Sequence, residues 1–275
     1  MKRRYQREQG GATVSQPAWA DLLREAVEKP GRILEAYSYF HNYSLGNQLL
    51  ALHQCHLRGL PPGPVSTYAG WQAVKRQVRK GERAIVLCMP ITRKRRDEKA
   101  GDGGAEMFYI NFVYKAHWFV LGQTDGDPLP PPEVPGWDGE RALAALGIEE
   151  GPFEDADGNT QGYARKRQIA VSPIAALPHK TRFHELGHVV LGHTEGAAVA
   201  DTEYTPRNLK EVEAEAVALL CCESLGLDGA DYARGYIQHW LRGDIIPEKS
   251  AQKIFRAADA ILKAGTTGGR EAAAV

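Results

Sequence analysis

Cysteine is scarce in this chain, four residues in 275, and none stands in a CxxC pair. That argues against a disulfide framework or a cysteine-built metal centre, so Cys55, Cys88, Cys221 and Cys222 are expected to be free thiols in a reducing compartment. No apolar run approaches the ~20 residues that a membrane-spanning helix needs. The basic start, MKRRYQREQGG, is followed by no apolar stretch, so no secretory signal is expected. Internal repeats and heptads are absent, and so is net charge: 34 basic residues face 34 acidic ones. What is present, 43% hydrophobic and 25% charged residues, is an ordinary globular composition, long enough for one large domain or two modest ones.

The zero net charge conceals a division. Residues 1–125 hold 19 Lys and Arg against 11 Asp and Glu, a balance of +8, which leaves 15 against 23, or −8, for the remaining 150. The first half is therefore expected to meet an anion. Where the sign changes lies DGDPLPPPEVPGW (125–137), a run short of backbone donors that favours extended geometry and reads as a semi-rigid linker. The expected organisation is a domain over 1–125, a Pro-rich linker over 126–138 and a second domain over 139–275.

Both halves read as α+β. In the first, helices are expected over SQPAWADLLREAVEKPG, over YSLGNQLLALHQCHL with Ser44 as cap, and over TYAGWQAVKRQV, followed by strands in RAIVLCMPIT and EMFYINFVYKAHWFVL. In the second, DGERALAALG reads as a short helix and GYARKRQIAVSP as one or two strands. Further helices are expected at the histidine segment and at 208–225, 229–241 and 248–264.

RFHELGHVVLGH (182–193) carries the chemistry. His184 and His188 are four apart, so on a helix both imidazoles reach one ion. Glu185 points about 100° round from His184, too far to share the ion and suited to proton transfer beside it. HExxH alone arises by chance in roughly one protein of this length in a hundred, so a third ligand is required. The histidine ten residues after the first that a metzincin needs is absent: Thr194 stands there, and His193 falls one position short. NLKEVEAEAVALLCC (208–222) offers carboxylates instead. Glu211 and Glu215 share a helix face, one able to bind the ion and the other to accept an imidazole N–H, and the small Ala214 permits close helix approach. Two imidazoles, a carboxylate and an open position make a catalytic Zn2+ arrangement. Tyr232, Tyr236 and His239 are candidates for stabilising an oxyanion, and spacing does not choose among them.

The first half adds a basic track, Lys75, Arg76, Arg79, Lys80 and Arg83, continued by Arg93, Lys94, Arg95 and Arg96, with Tyr68 and Trp71 just before it. Cations with aromatic platforms are the chemistry of sequence-tolerant single-stranded DNA binding. Phe108, Phe112 and Trp118 read instead as core.

HELGHVVLGH with EVEAEAVALL resembles the gluzincin pattern HExxH…ExxA[EDN] of ImmA/IrrE-type peptidases. That pattern implies Glu211 as third ligand and Glu215 as the carboxylate behind a ligating imidazole. Metal is then expected to be lost with Glu211 and kept without Glu213. Across roughly 17–264 the chain resembles the ArdC-type antirestriction proteins. YSLGNQLLALHQ, GWQAVKRQVRKGERAIVLCMPI and WFVLGQT are similar to their single-stranded-DNA-binding domain. IAVSP…KTRFHELGHVVLGH, YIQHWLRGD and AADAIL are similar to their zincin-like metallopeptidase half. The resemblance implies a cytoplasmic protein of a mobile element that protects incoming DNA from restriction and cuts an unknown protein substrate. Two alternatives stand beside it: DNA protection without proteolysis, the metal being structural, and a repressor-cleaving regulator.

Overall fold

The structure, a computed structural model, describes residues 17–95, 107–155, 159–195, 207–241 and 245–267. The chain is α+β. Helices α1 (Trp19–Glu28), α2 (Arg32–Phe40) and α3 (Leu45–Leu57) come first. They are followed by β1 (Val65–Thr67), α4 (Tyr68–Ala73), β2 (Gln77–Val78), the long hairpin β3 (Ile85–Arg95) and β4 (Met107–Val120), and β5 (Thr124–Asp125). Strands β1, β4 and β3 form an antiparallel sheet in that order. After residues 128–135, which form neither helix nor strand, come β6 (Gly136–Trp137), α5 (Gly139–Leu146), β7 (Glu149–Glu150), β8 (Gly162–Arg165) and β9 (Gln168–Val171). The last elements are α6 (Pro178–Val190), α7 (Arg207–Ser224), α8 (Ala230–Leu241), α9 (Glu248–Gly265) and β10 (Thr266–Thr267). No helix among the described residues is long and apolar enough to cross a membrane.

Most expected helices form where the periodicity places them. α1 buries Leu22, Leu23, Ala26 and Val27 on one stripe, and α5 is capped by Asp138, whose side chain accepts from Arg141 N at 2.6 Å. Two expectations need correction. α3 does start after Ser44, but the serine side chain makes no capping bond; Asp259 of α9 accepts from Leu45 N at 3.1 Å. The helix expected over TYAGWQAVKRQV stops at Ala73 because the chain turns through Lys75, in the left-handed region at φ +59°, to bring Arg76 inward. The sequence patterns had marked no helix over α2.

Edge strand β3 is covered by α3. The Asn47 amide donates to Cys88 O at 2.9 Å and accepts from Cys88 N at 2.8 Å; the Gln54 amide donates to Val86 O at 2.8 Å and accepts from Val86 N at 2.9 Å. Two side-chain amides thus satisfy a strand edge that would otherwise be a template for aggregation.

The apolar core is continuous from α1–α3 and the β1–β4–β3 sheet to α6, α7 and α9. α7 lies at its centre, buried on nearly every side from Val212 to Ser224 and packed against α2, α6, α8 and α9. The four cysteines are free, and burial pushes the thiols of Cys55 to about 11 and Cys222 to about 12, so these two are unreactive.

Candidate metal centre

The site is built where α6 crosses α7. Gly187 of α6 sits against α7 so closely that a Cβ there would lie 3.3 Å from both Cα and O of Ala214. Residues without bulk on both helices therefore set the distance between the histidines and the glutamates. Pro178 opens α6 at a position where its missing N–H costs nothing, and Gly192 ends the turn after it at φ +76°.

Across that crossing three ligand atoms converge. His184 Nε2 and His188 Nε2 are 3.1 Å apart, and Glu211 Oε2 lies 3.5 Å from the first and 3.6 Å from the second. Bonds of about 2.0–2.1 Å to a tetrahedral ion put ligand atoms roughly 3.3 Å apart, so the triangle fits a divalent ion. Among the described residues, His184, His188 and Glu211 are the only group of this kind. Behind the ligands, Glu215 Oε2 accepts from His184 Nδ1 at 2.7 Å, while Lys180 Nζ holds the other oxygen at 2.7 Å. Burial works against a charged His184, but its bonds to Glu211 and Glu215 prevail and raise its pKa to about 9. The same bonds, with His184 and His188, hold the Glu211 carboxyl well below its ordinary range.

Glu185 is buried, which raises its pKa, and its carboxylate lies beside Gly162 at the entry of β8, where a Cβ would come within 3.1 Å of Oε1. In the sheet β7–β9–β8, β8 is an outer strand. Tyr232 and Tyr236 surround the Lys180 ammonium, 5.0 and 6.0 Å from their ring centres, and so belong to the support of Glu215.

The expected DNA-binding residues divide. Tyr68, Lys75, Arg79, Lys80 and Arg83 are exposed around α4 and β2. Trp71 and Arg76 are not available and must be removed from that set. Trp71 is 2% exposed and its indole N–H donates to Phe119 O at 2.9 Å; Arg76 is 8% exposed and its guanidinium is spent on Thr124 and the carbonyl of Asp127. Arg96, and the side chains of Arg93, Lys94, Arg95 and Phe108, lie outside the described residues. Trp118 is core as expected, whereas Phe112 is 55% exposed. Phe112 and Tyr114 stand two apart on the same face of β4, a period-2 signal that the sequence did contain. They line a cleft of about 490 Å³ with Trp19, Phe255, Gln252 and Arg256, the last 5.9 Å from the Phe112 ring centre.

Fold and site together define an α+β protein with a candidate His-His-Glu divalent-metal centre. Residues 12–118 match the family described as the N-terminal domain of anti-restriction factor ArdC. The fold matches crystal structures of the antirestriction ArdC protein from plasmid R388. Against the metal-free form the TM-score is 0.52 at 22% identity, covering 90% of this chain and 94% of that one. Against the Mn(II)-bound form it is 0.52 at 21% identity, covering 90% and 97%. The uncharacterized protein y4eC of Sinorhizobium fredii is 28% identical over 216 residues, 68% of this chain and 65% of its own length, so the chain spans a little less than two thirds of that relative. Residues 12–118 are thus similar to the ArdC N-terminal domain, and the fold is shared with the R388 protein.

Proposed function

We propose that this is a DNA-associated metallopeptidase of the antirestriction kind, which holds single-stranded DNA on its first half and hydrolyses peptide bonds at the His-His-Glu centre. The observation that carries the reading is the convergence of His184, His188 and Glu211, with Glu185 next to them and a carboxylate behind His184. The relative from R388 binds Mn(II), and His₂Glu donor sets accept several first-row ions, so Zn2+ and Mn2+ are both suitable occupants. Such an ion supplies a Lewis acid that polarises a carbonyl and acidifies water. Glu185 accepts the proton of the attacking water as its oxygen bonds to the carbonyl carbon, and returns it to the amine nitrogen as the C–N bond breaks. An extended peptide can pair with the outer edge of β8, which passes Glu185 at Gly162.

Glu185→Gln is expected to retain the ion and the fold while lowering peptide hydrolysis by about 10²–10⁴-fold, measured on denatured protein substrates with metal content in parallel. Hydrolysis at the wild-type rate would remove Glu185 from the chemistry. The same variant decides the second reading, protection of DNA by occlusion, which the exposed cations and the aromatic cleft favour: if protection against restriction survives undiminished, proteolysis is not what protects.

For the DNA half, Lys75, Lys80 and Arg83 are available to phosphates, and Phe112 and Tyr114 to bases, while the exposed Arg79 is bonded to Glu82 and to Gly122 O. Three contacts on a single strand predict an affinity loss of roughly 20-fold between 50 and 200 mM salt. Fluorescence anisotropy with an oligonucleotide checks this, and an affinity indifferent to salt would sink the phosphate account. Phe112→Ala is expected to weaken binding by about 1–3 kcal/mol at any salt concentration.

A further inference from the structure

His193 and Glu213 are used by nothing described so far, yet both are buried. His193 follows the left-handed Gly192, and its side chain is 7% exposed; that of Glu213 is 3% exposed. Their contact is direct, His193 Nε2 to Glu213 Oε2 at 2.9 Å, and the hydroxyl of Ser250 on α9 bonds the same carboxylate. The other nitrogen of His193, Nδ1, lies 3.0 Å from His188 Nδ1. Glu213 is about 200° round the helix from Glu211, so it faces away from the ion and meets His193 instead. A buried carboxylate is costly unless something holds it in place.

With an ion on His188 Nε2, the protons on this chain of groups follow from the contacts. A contact between two Nδ1 atoms has room for one hydrogen. If His188 offers the lone pair of Nε2 to an ion, its hydrogen is on Nδ1 and is donated to His193 Nδ1. His193 then carries its own hydrogen on Nε2 and donates it to Glu213, which as a carboxylate can only accept. This assignment satisfies every atom. It also makes the two ligands equivalent: Glu215 backs His184 directly, and Glu213 backs His188 through His193.

We propose that His193 and Glu213 are positioning residues that hold the His188 ring in its metal-binding tautomer and orientation. This rests on the metal reading above, and it reverses the expectation that metal would be kept without Glu213.

The test uses the full chain stripped of metal. Mn2+ and Zn2+ affinities are measured by competition with a chromophoric chelator, visible spectra are taken with Co2+, and thermal stability is recorded without metal. His193→Phe, which removes the acceptor of the His188 N–H, is expected to weaken divalent binding about 10–100-fold and to alter the Co2+ spectrum. Glu213→Gln, which keeps an acceptor and loses the charge, is expected to weaken it by about tenfold. His193→Asn, whose amide oxygen can replace Nδ1 as acceptor, is expected to recover part of the loss suffered by His193→Phe. If these variants lower the metal-free melting temperature but bind Mn2+ and Zn2+ within twofold of wild type, the pair is only a structural tie and the proposal is overturned. If His193→Phe does not fold, Glu213→Gln and His193→Asn decide alone. A wild-type chain that binds none of the three ions overturns the metal reading itself, which is a different result from a wild type that binds beside variants that bind equally.

Discussion

Glu211→Ala protein is expected to bind a divalent ion more than about a hundredfold more weakly than wild type while keeping its fold. Losing a partner behind a ligand typically costs 10–100-fold, and removing a ligand outright costs more, because two imidazoles leave the ion with a single donor type and half its coordination to water. The fold should survive because the Glu211 side chain is 30% exposed and its contacts are the two histidines, not the α7 core. Glu215→Ala makes a sharper comparison. There the ligand set is intact, but His184 loses the acceptor of its Nδ1–H and Lys180 its buried counter-charge, so both affinity and stability fall. Elemental mass spectrometry and calorimetric titration separate the two. Undiminished metal in Glu211→Ala would place the ion elsewhere.

Glu223→Ala is expected to destabilise the protein by about 3–5 kcal/mol and to lower its melting temperature by on the order of 10 °C. Glu223 lies at the end of α7 and holds elements far apart in sequence. One oxygen accepts from Ile33 N at 3.0 Å, in the first turn of α2, where the cap position is Gly31 and has no side chain to offer. The other is bonded to Arg234 of α8, whose guanidinium also donates to Ala26 O at 2.7 Å and to Val27 O at the end of α1. Both side chains of the pair are 8% exposed, so removing one leaves the other charge buried and uncompensated. The double change Glu223→Ala with Arg234→Met is expected to recover part of the loss, because an apolar replacement of a buried ion pair leaves no charge unpaired. A loss below about 1 kcal/mol in the single variant, by urea unfolding, would show that the network is dispensable.

The candidate metal ligands were the most legible feature of the chain. Positions i and i+4 on a helix face one way whatever surrounds them, so His184 with His188, and Glu211 with Glu215, could be paired from spacing alone. The residues expected to meet DNA were the least legible. Tyr68 and Trp71 are three apart in one short helix, yet one is exposed and the other buried, because the indole docks on β4 through Phe119 O. Arg76 has the same charge as its exposed neighbours Lys75 and Arg79; a left-handed turn at Lys75 sends it inward to Thr124. Phe112 passed for core because it is aromatic, although a strand at a sheet surface presents alternate residues to solvent.

The helix starts show the same division. Ser44, Gly31 and Ala18 mark where α3, α2 and α1 begin, but none of them caps its helix. The caps are carboxylates from more than 180 residues away: Asp259 for α3, Glu223 for α2 and, at 2.9 Å from Ala20 N, Glu248 for α1. His193 is a further case, since five residues past a candidate ligand it matches no metal spacing, and only the turn at Gly192 and the approach of α7 give it two partners. By itself the sequence determined what periodicity and local chemistry encode: element type, one face of each helix, and the pairs of side chains that an α-helix aligns. The tertiary structure alone decided which side chains satisfy the buried N–H groups, the strand edge and the second nitrogen of each histidine, because those bonds join residues that are neighbours only after the core has closed.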